Sequence, residues 1–393
     1  MDRREFLFAA AGTVVSSRTS GSHLITAAEI GRIDRARILS VADRYLNEKP
    51  VTVTASSSPR SHGGPHDYFS EGDYWWPDPK NPGGPYIRRD GYSNPDNFNS
   101  HREALIRLSV QVSALTAAWL ITHKKIYAAH AAMHLRAWFL DSETRMNPSL
   151  QYAQAISGVT PGRGTGIIDT LHLIEVVRAA MHLEHAHDFS PLEMTALRGW
   201  FAEYLAWMQD SKNGQEEERA ENNHGTCWVA QLAAFAAFTG DNRVLALCRD
   251  RYRNNLLPVQ VAADGSFPLE LSRTRPYSYS LFNLDILAIV CQIASIPNGA
   301  KDDLWQFQLS NGIRYKKAVD FMVPFIEDKK GWPFKPDVEY FDDLPNRQIS
   351  LLFAGLAYGE SRFLALWRKL PPDPKTQEII RNFPLRQPVL WVS

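Results

Sequence analysis

From about residue 105 to the C-terminus, apolar residues recur every three or four positions in one block after another, the period of an amphipathic helix. Leu105, Leu108, Val112, Leu115 and Trp119 make the first clear stripe. Similar stripes predict helices over about 126–141, 167–186, 191–209, 225–239, 242–254, 281–295, 312–326 and 348–369, with a shorter one at 33–48. The short breaks between them suit antiparallel helix hairpins, and no βαβ alternation is present. The expectation is an all-α chain folded as an α/α toroid, an incomplete barrel of helical hairpins. A plain helical bundle or an α-solenoid fits the same periodicity.

One stretch breaks the pattern. Val51 to Asn99 is dense in Gly, Pro, Ser, Asp and aromatics, and its prolines forbid a long helix. A loop this long in a compact domain is usually functional or disordered, and so many aromatics argue against disorder. Residues 50–100 are therefore read as an ordered lid or cleft wall within a single domain spanning 29–393.

Charge and cysteine content narrow the function. The chain carries 43 basic and 43 acidic residues, so it lacks the basic excess of a dedicated nucleic-acid binder. A local basic cleft for an anionic partner remains compatible with that balance. Cys227, Cys248 and Cys291 lie scattered in apolar helical patterns, which makes them small buried hydrophobes rather than a disulfide framework. Arg3-Arg4, followed by Phe6-Leu7 and a short apolar run to Val15, reads as a twin-arginine export signal within residues 1–28. That run is too short to span a bilayer. No later segment is expected to cross a membrane, so the mature chain is expected in the periplasm or outside the cell. His62 and His66 sit in a Gly-Pro-rich loop and no HExxH occurs, so neither metal nor cofactor is expected. The sequence carries no signal of oligomeric state.

Two constellations carry the chemistry. Asn222-Asn223-His224 stands at the start of a predicted helix, where an amide and an imidazole face the positive end of a helix dipole and a carboxylate is welcome. Arg273, Arg275, Tyr277 and Tyr279 crowd seven residues just before a helix resumes near Ser280. Arginine recognises carboxylates in bidentate fashion, and tyrosine offers a hydroxyl that serves as acid or, deprotonated, as base. Together these groups suit elimination on a uronide, whose C5 proton lies α to a carboxylate that must first be neutralised. Asn223 and Arg273 can bind that carboxylate and stabilise the enediolate-like intermediate. Where H5 and O4 share a side of the ring, as in β-D-mannuronate and β-D-glucuronate, Tyr279 can be both base and acid. His224 and Arg273 are then expected to lower its pKa from about 10. Where they lie on opposite sides, as in α-L-guluronate, His224 is the base and Tyr279 the acid.

Tyr74, Trp75 and Trp76 either stack on sugar faces or anchor the long loop. Arg88 and Arg89 either meet a polyanion or solvate that loop. Arg163 lies in Gly162–Gly166, which lacks the P-loop Lys-Ser/Thr and a preceding parallel strand, so the glycines are read as a tight helix start from which Arg163 can reach the cleft.

The run His66 to Pro79, the Gly84-Pro-Tyr-Ile-Arg-Arg-Asp-Gly91 segment, Asn222-Asn223-His224, Arg273 to Tyr279 and the terminal Arg386 to Trp391 resemble the alginate lyase superfamily from about residue 50 onward. The resemblance implies an α/α toroid and metal-independent β-elimination on an anionic polysaccharide. It implies Asn223 and Arg273 as carboxylate neutralisers, Tyr279 as acid and base, and His224 as its partner; beside it, the residues themselves make Asn222, Arg275, Tyr277, Arg88 and Arg163 candidate substrate contacts, and Tyr277 is close enough to rival Tyr279 for the catalytic role. The six-residue interval from Arg273 to Tyr279 is one shorter than in mannuronate-preferring lyases of polysaccharide lyase family 5. With the Tyr-Trp-Trp-Pro-Asp-Pro loop, it looks more like family 38, which includes glucuronan-active enzymes. Two other readings stand beside it. A glycoside hydrolase needs two opposed carboxylates, for which Glu217, Glu218, Glu221, Asp264 and Glu270 are available. A non-catalytic glycan-binding protein needs no tyrosine base.

Overall fold

The computed structural model describes residues 25–186 and 188–392. Residues 1–24, which hold most of the expected export signal, lie outside the described residues. The first helix, α1 (Ala27–Tyr45), starts where the Thr26 side chain accepts a hydrogen bond from the Glu29 backbone N–H. After the long loop come α2 (Ser100–Thr122), α3 (Lys125–Phe139), α4 (Leu173–Leu183), α5 (Pro191–Asp210), α6 (Lys212–Glu218), α7 (Asn223–Thr239) and α8 (Asn242–Arg251). Two short helices, α9 (Leu257–Gln260) and α10 (Pro268–Leu271), precede α11 (Pro276–Ala294), α12 (Tyr315–Glu327), α13 (Ile349–Tyr358), α14 (Ser361–Lys369) and α15 (Gln377–Arg381).

Helices α2, α4, α7, α11 and α13 pack side by side in that order, and α3, α5, α8, α12 and α14 back them. The arrangement is an α/α toroid. Leu105, Leu108, Val112 and Leu115 of the first stripe are at most 1% exposed, and each contributes on the order of 1.5–3 kcal/mol by burial. The inner helices go further than a stripe: every residue of α11 from Pro276 to Cys291 is buried. By length and composition alone α2 and α11 are apolar enough to cross a bilayer, contrary to the expectation for the mature chain. Within the protein 72% and 83% of those apolar windows are buried in its own core. The hairpin reversals use left-handed residues at the helix ends: His123 after α2, Gly240 after α7 and Gly359 after α13. Gly359 splits the helix expected over 348–369 into α13 and α14. Cys227, Cys248 and Cys291 are free and buried on α7, α8 and α11.

The 51–99 loop contains little regular structure. Its strand β1 (Phe69–Glu71) pairs in parallel with β4 (Tyr152–Ala155), and β2 (Trp75–Trp76) pairs antiparallel with β3 (Ile87–Arg88). Besides the burial of Val53, Tyr68 and Phe69, an ion network holds it down. Asp73 lies between Arg102 of α2 and Arg381 of α15, at 2.5 Å from each, and Arg102 also reaches Asp169 at 3.3 Å. Burial works to raise the Asp73 carboxyl, but the two guanidinium groups outweigh it and hold it below its ordinary range.

Removing one member of a buried pair strands the others, at a cost of about 3–5 kcal/mol. Arg102→Ala is expected to lower stability by about that amount in a urea titration. An unchanged midpoint would show that this network does not hold the loop.

Candidate active site

A cavity of about 360 Å³ opens between the long loop and the N-terminal ends of α7 and α11. Asn222, Asn223, His224, Arg273, Tyr279, Tyr74, Trp75, Arg88 and Arg163 all line it. Residues from five separate parts of the chain thus converge on one space.

The start of α7 is built locally. The Asn222 side chain accepts from the His224 backbone N–H, which caps the helix. Gly225 follows because any Cβ there would lie 2.0 Å from the Ala220 carbonyl oxygen. Asn223 is gripped from behind by buried Glu270, which accepts its backbone N–H at 2.8 Å and its side-chain amide at 2.6 Å. Burial pushes the Glu270 carboxyl up, while the bonds from Asn223 pull the other way. One amide hydrogen and the carbonyl oxygen of Asn223 remain for a ligand.

His224 Nδ1 sits 2.6 Å from Oε1 of Glu217, a buried carboxylate on α6. A carboxylate only accepts hydrogen bonds, so Nδ1 carries a hydrogen, and in the neutral ring the lone pair then lies on Nε2. That is the tautomer a general base requires.

Arg273 is oriented by Asp90, which takes its Nε at 3.2 Å and one Nη at 2.9 Å. Asp90 also accepts from the Thr274 hydroxyl. The Arg273 guanidinium lies 4.5 Å from the centre of the Tyr279 ring. Tyr279 itself stands in the first turn of α11, earlier than the expected start near Ser280. The carboxylate of Asp337 caps that helix by accepting from the backbone N–H of Tyr277 and Ser278. The Tyr279 hydroxyl shares a 2.8 Å hydrogen bond with that of Tyr74.

One electrostatic expectation is overturned. Burial, then Tyr74, push the Tyr279 phenol well above its ordinary range, and Arg273 and Arg275 only partly oppose them. In the ligand-free protein Tyr279 is therefore a phenol, not a phenolate.

Three of the proposed contacts do not face the cavity. Arg275 is spent on Glu378 and Glu339, at 2.6 Å from each, and on the Gly91 carbonyl. Tyr277 is fully buried, donates to the Phe325 carbonyl and packs edge-on against Trp332 and Phe341. Trp76 donates to the Tyr92 carbonyl and lies under Arg89, so it anchors the loop while Trp75 lines the cavity. Three side chains met so far that orient the site are unassigned or misassigned in the sequence. Asp90 carries no periodic or motif signal beyond its Arg-Arg-Asp-Gly turn, and Glu217 and Glu270 are read there only as hydrolase carboxylates.

The five carboxylates available to a hydrolase do not make an opposed pair. Glu217 holds His224, Glu270 holds Asn223, Glu218 pairs with Arg251, Asp264 closes its own turn on Ser266, and Glu221 is exposed. Among the described residues, no three His, Cys, Asp or Glu side chains cluster as metal ligands.

Comparison with known proteins gives the family and the fold. The alginate lyase family model matches residues 52–332. An alginate lyase from Bacteroides ovatus is 31% identical, with a TM-score of 0.80 over 92% of this chain and 93% of that one. Alginate lyase A1-III from Sphingomonas species A1 shares the fold at 15% identity, with a TM-score of 0.55 over 95% of this chain and all of its own. A variant of alginate lyase A1-III complexed with a tetrasaccharide is similar at 14% identity and a TM-score of 0.56, over 94% of this chain and 95% of that one. No curated protein sequence matches the chain. The match over most of its length, together with the 31% identical structure, shows that the chain belongs to the alginate lyase family and is a polysaccharide lyase.

Proposed function

We propose that the protein cleaves a 1,4-linked polyuronate, alginate (mannuronate-rich blocks above all) or glucuronan, by β-elimination without a metal ion, leaving a 4,5-unsaturated uronate at the new end. The observation that carries this reading is the convergence of Asn223, His224, Arg273 and Tyr279 on one cavity. Arg273 and the free amide hydrogen of Asn223 bind the uronate carboxylate and take up charge as the C5 proton leaves. They supply the neutralisation that a divalent cation would otherwise provide.

The hydrogen-bond partners of His224 and the burial of Tyr279 support the remaining roles. His224, with Nδ1 tied to Glu217, presents Nε2 to receive H5. Tyr279, kept protonated by burial, presents a proton to the leaving O4. That pair suits guluronate, where H5 and O4 lie on opposite sides of the ring. In mannuronate and glucuronate they share a side, and Tyr279 serves both steps once its own proton has passed to Nε2 of neutral His224: the phenolate takes H5 and returns that proton to the leaving O4. The 31% identical relative is named an alginate lyase, which supports alginate as one candidate.

The test is ultraviolet absorbance with polymannuronate, polyguluronate, glucuronan and hyaluronan in turn. Elimination conjugates a C4–C5 double bond to the carboxylate, and an absorbance rise is expected with at least one polyuronate, chelator present or not. Tyr279→Phe is expected to remove the rise, by at least about 100-fold, while the variant still binds the polymer. New reducing ends without absorbance would mean hydrolysis and sink the proposal.

The pH profile follows from the raised phenol. A general acid acts while protonated, so activity falls as pH climbs through its pKa. Because the Tyr279 pKa lies above the ordinary value of about 10, turnover of polyguluronate is expected to hold on the alkaline side up to at least that pH. A loss centred well below it, with the fold intact by circular dichroism, would contradict the acid role.

A further inference from the structure

The arginines around the cavity are not alike. Arg88, Arg102, Arg163, Arg273 and Arg381 all line it. Arg88 and Arg273 share Asp90, Arg102 holds Asp73 and Asp169, and Arg381 holds Asp73 and Glu378. Arg163 alone among these has no carboxylate partner within the described residues. Its Nε donates to the Gln154 carbonyl at 3.0 Å and one Nη donates to the Gln154 side-chain oxygen at 2.8 Å, both neutral acceptors. Its other Nη has no partner among the described residues.

The support under Arg163 is built at a cost. Gln154 holds a left-handed backbone, φ 49°, which a residue with a side chain adopts at about 1–3 kcal/mol. Every polar group of Gln154 is engaged: its N–H donates to Ser70, its amide nitrogen to Asp169 and both its oxygens accept from Arg163. Gly72 keeps the neighbouring space open, since a Cβ there would lie 3.1 Å from an Arg163 Nη and 2.7 Å from the Trp75 ring. The Trp75 indole lies 5.9 Å from the Arg163 guanidinium, a flat face beside a fixed cation. Burial pulls the Arg163 pKa down against the more distant carboxylates Glu217, Asp169 and Asp73, while directly paired carboxylates hold those of Arg102 and Arg273 up.

We propose that Arg163, aimed by Gln154 and flanked by Trp75, is a second carboxylate-binding position for the sugar next to the one held by Arg273 and Asn223. This rests on the lyase reading above and adds a rule to it: the enzyme takes chains with carboxylates on adjacent sugars. A polymer that alternates uronate with a neutral sugar, such as hyaluronan, would leave the Arg163 cation desolvated and unpaired, and is rejected for that reason.

The experiment compares oligouronates carrying every carboxylate with the same oligomers whose carboxyl is reduced to a neutral alcohol on one sugar beside the scissile bond. Affinity is read by tryptophan fluorescence and turnover by absorbance, for the wild-type protein, Arg163→Gln and Arg163→Lys. The wild-type protein is expected to bind the fully charged oligomer about 10–100-fold more tightly than the reduced one, the range for a hydrogen-bonded charge. Arg163→Gln is expected to lose that preference, to raise KM far more than it lowers kcat, and to unfold at the wild-type temperature. Arg163→Lys is expected to keep part of the preference. An Arg163→Gln protein that discriminates as the wild type does overturns the proposal. If the wild-type protein shows the binding preference but makes no unsaturated product from any polyuronate, the lyase reading fails and the carboxylate position stands.

Discussion

The site depends on a carboxylate held between two arginines. Asp73 is the residue immediately before Tyr74 and Trp75, and Arg102 and Arg381 clamp it from opposite ends of the chain. Ordering a 49-residue loop whose only helical turn is Val53–Ala55 costs a large conformational entropy, which the clamp helps to offset. The clamp fixes Tyr74 where its hydroxyl meets Tyr279, and Trp75 where it faces Arg163. A second clamp lies one turn further on. Asp90 holds Arg273 and Thr274, and the Gly91 carbonyl, in a left-handed turn, accepts from Arg275. Loop and toroid are thus joined by charge at the site, beside the apolar packing of Val53, Tyr68 and Phe69.

The same logic runs through the reacting groups. Four polar side chains that line the cavity are each held by a second one: His224 by Glu217, Asn223 by Glu270, Arg273 by Asp90 and Arg163 by Gln154. Groups fixed before the substrate arrives need little reorganisation as charge develops. Three of these supports are carboxylates, which is why acidic residues near the site do not make it a hydrolase.

How much of this was legible in the sequence differs by element. The helices of the toroid were, because burial of one or more faces imposes a period on the residues themselves, as in Leu105, Leu108, Val112 and Leu115. So was the pairing of Asn222-Asn223-His224 with Arg273 and Tyr279, since unusual polar residues stood at helix starts. Supports that act across the fold were not. The first turn of α11 is capped by Asp337, some sixty positions away, so its start at Pro276 could not be read locally. Tyr277 lay as close in sequence to the chemistry as Tyr279 did, but helical geometry turns the two onto different faces. Arg275 carried the charge of a substrate ligand, and its carboxylate partners Glu339 and Glu378 lie far along the chain.

The central claim is that His224 or Tyr279 removes the C5 proton of a uronate whose carboxylate is already neutralised. The most direct measurement uses a polyuronate deuterated at C5, digested to completion and examined by nuclear magnetic resonance. Elimination requires that the sugar at each new non-reducing end lose its deuterium and become unsaturated. Saturated ends that keep the label would contradict the account.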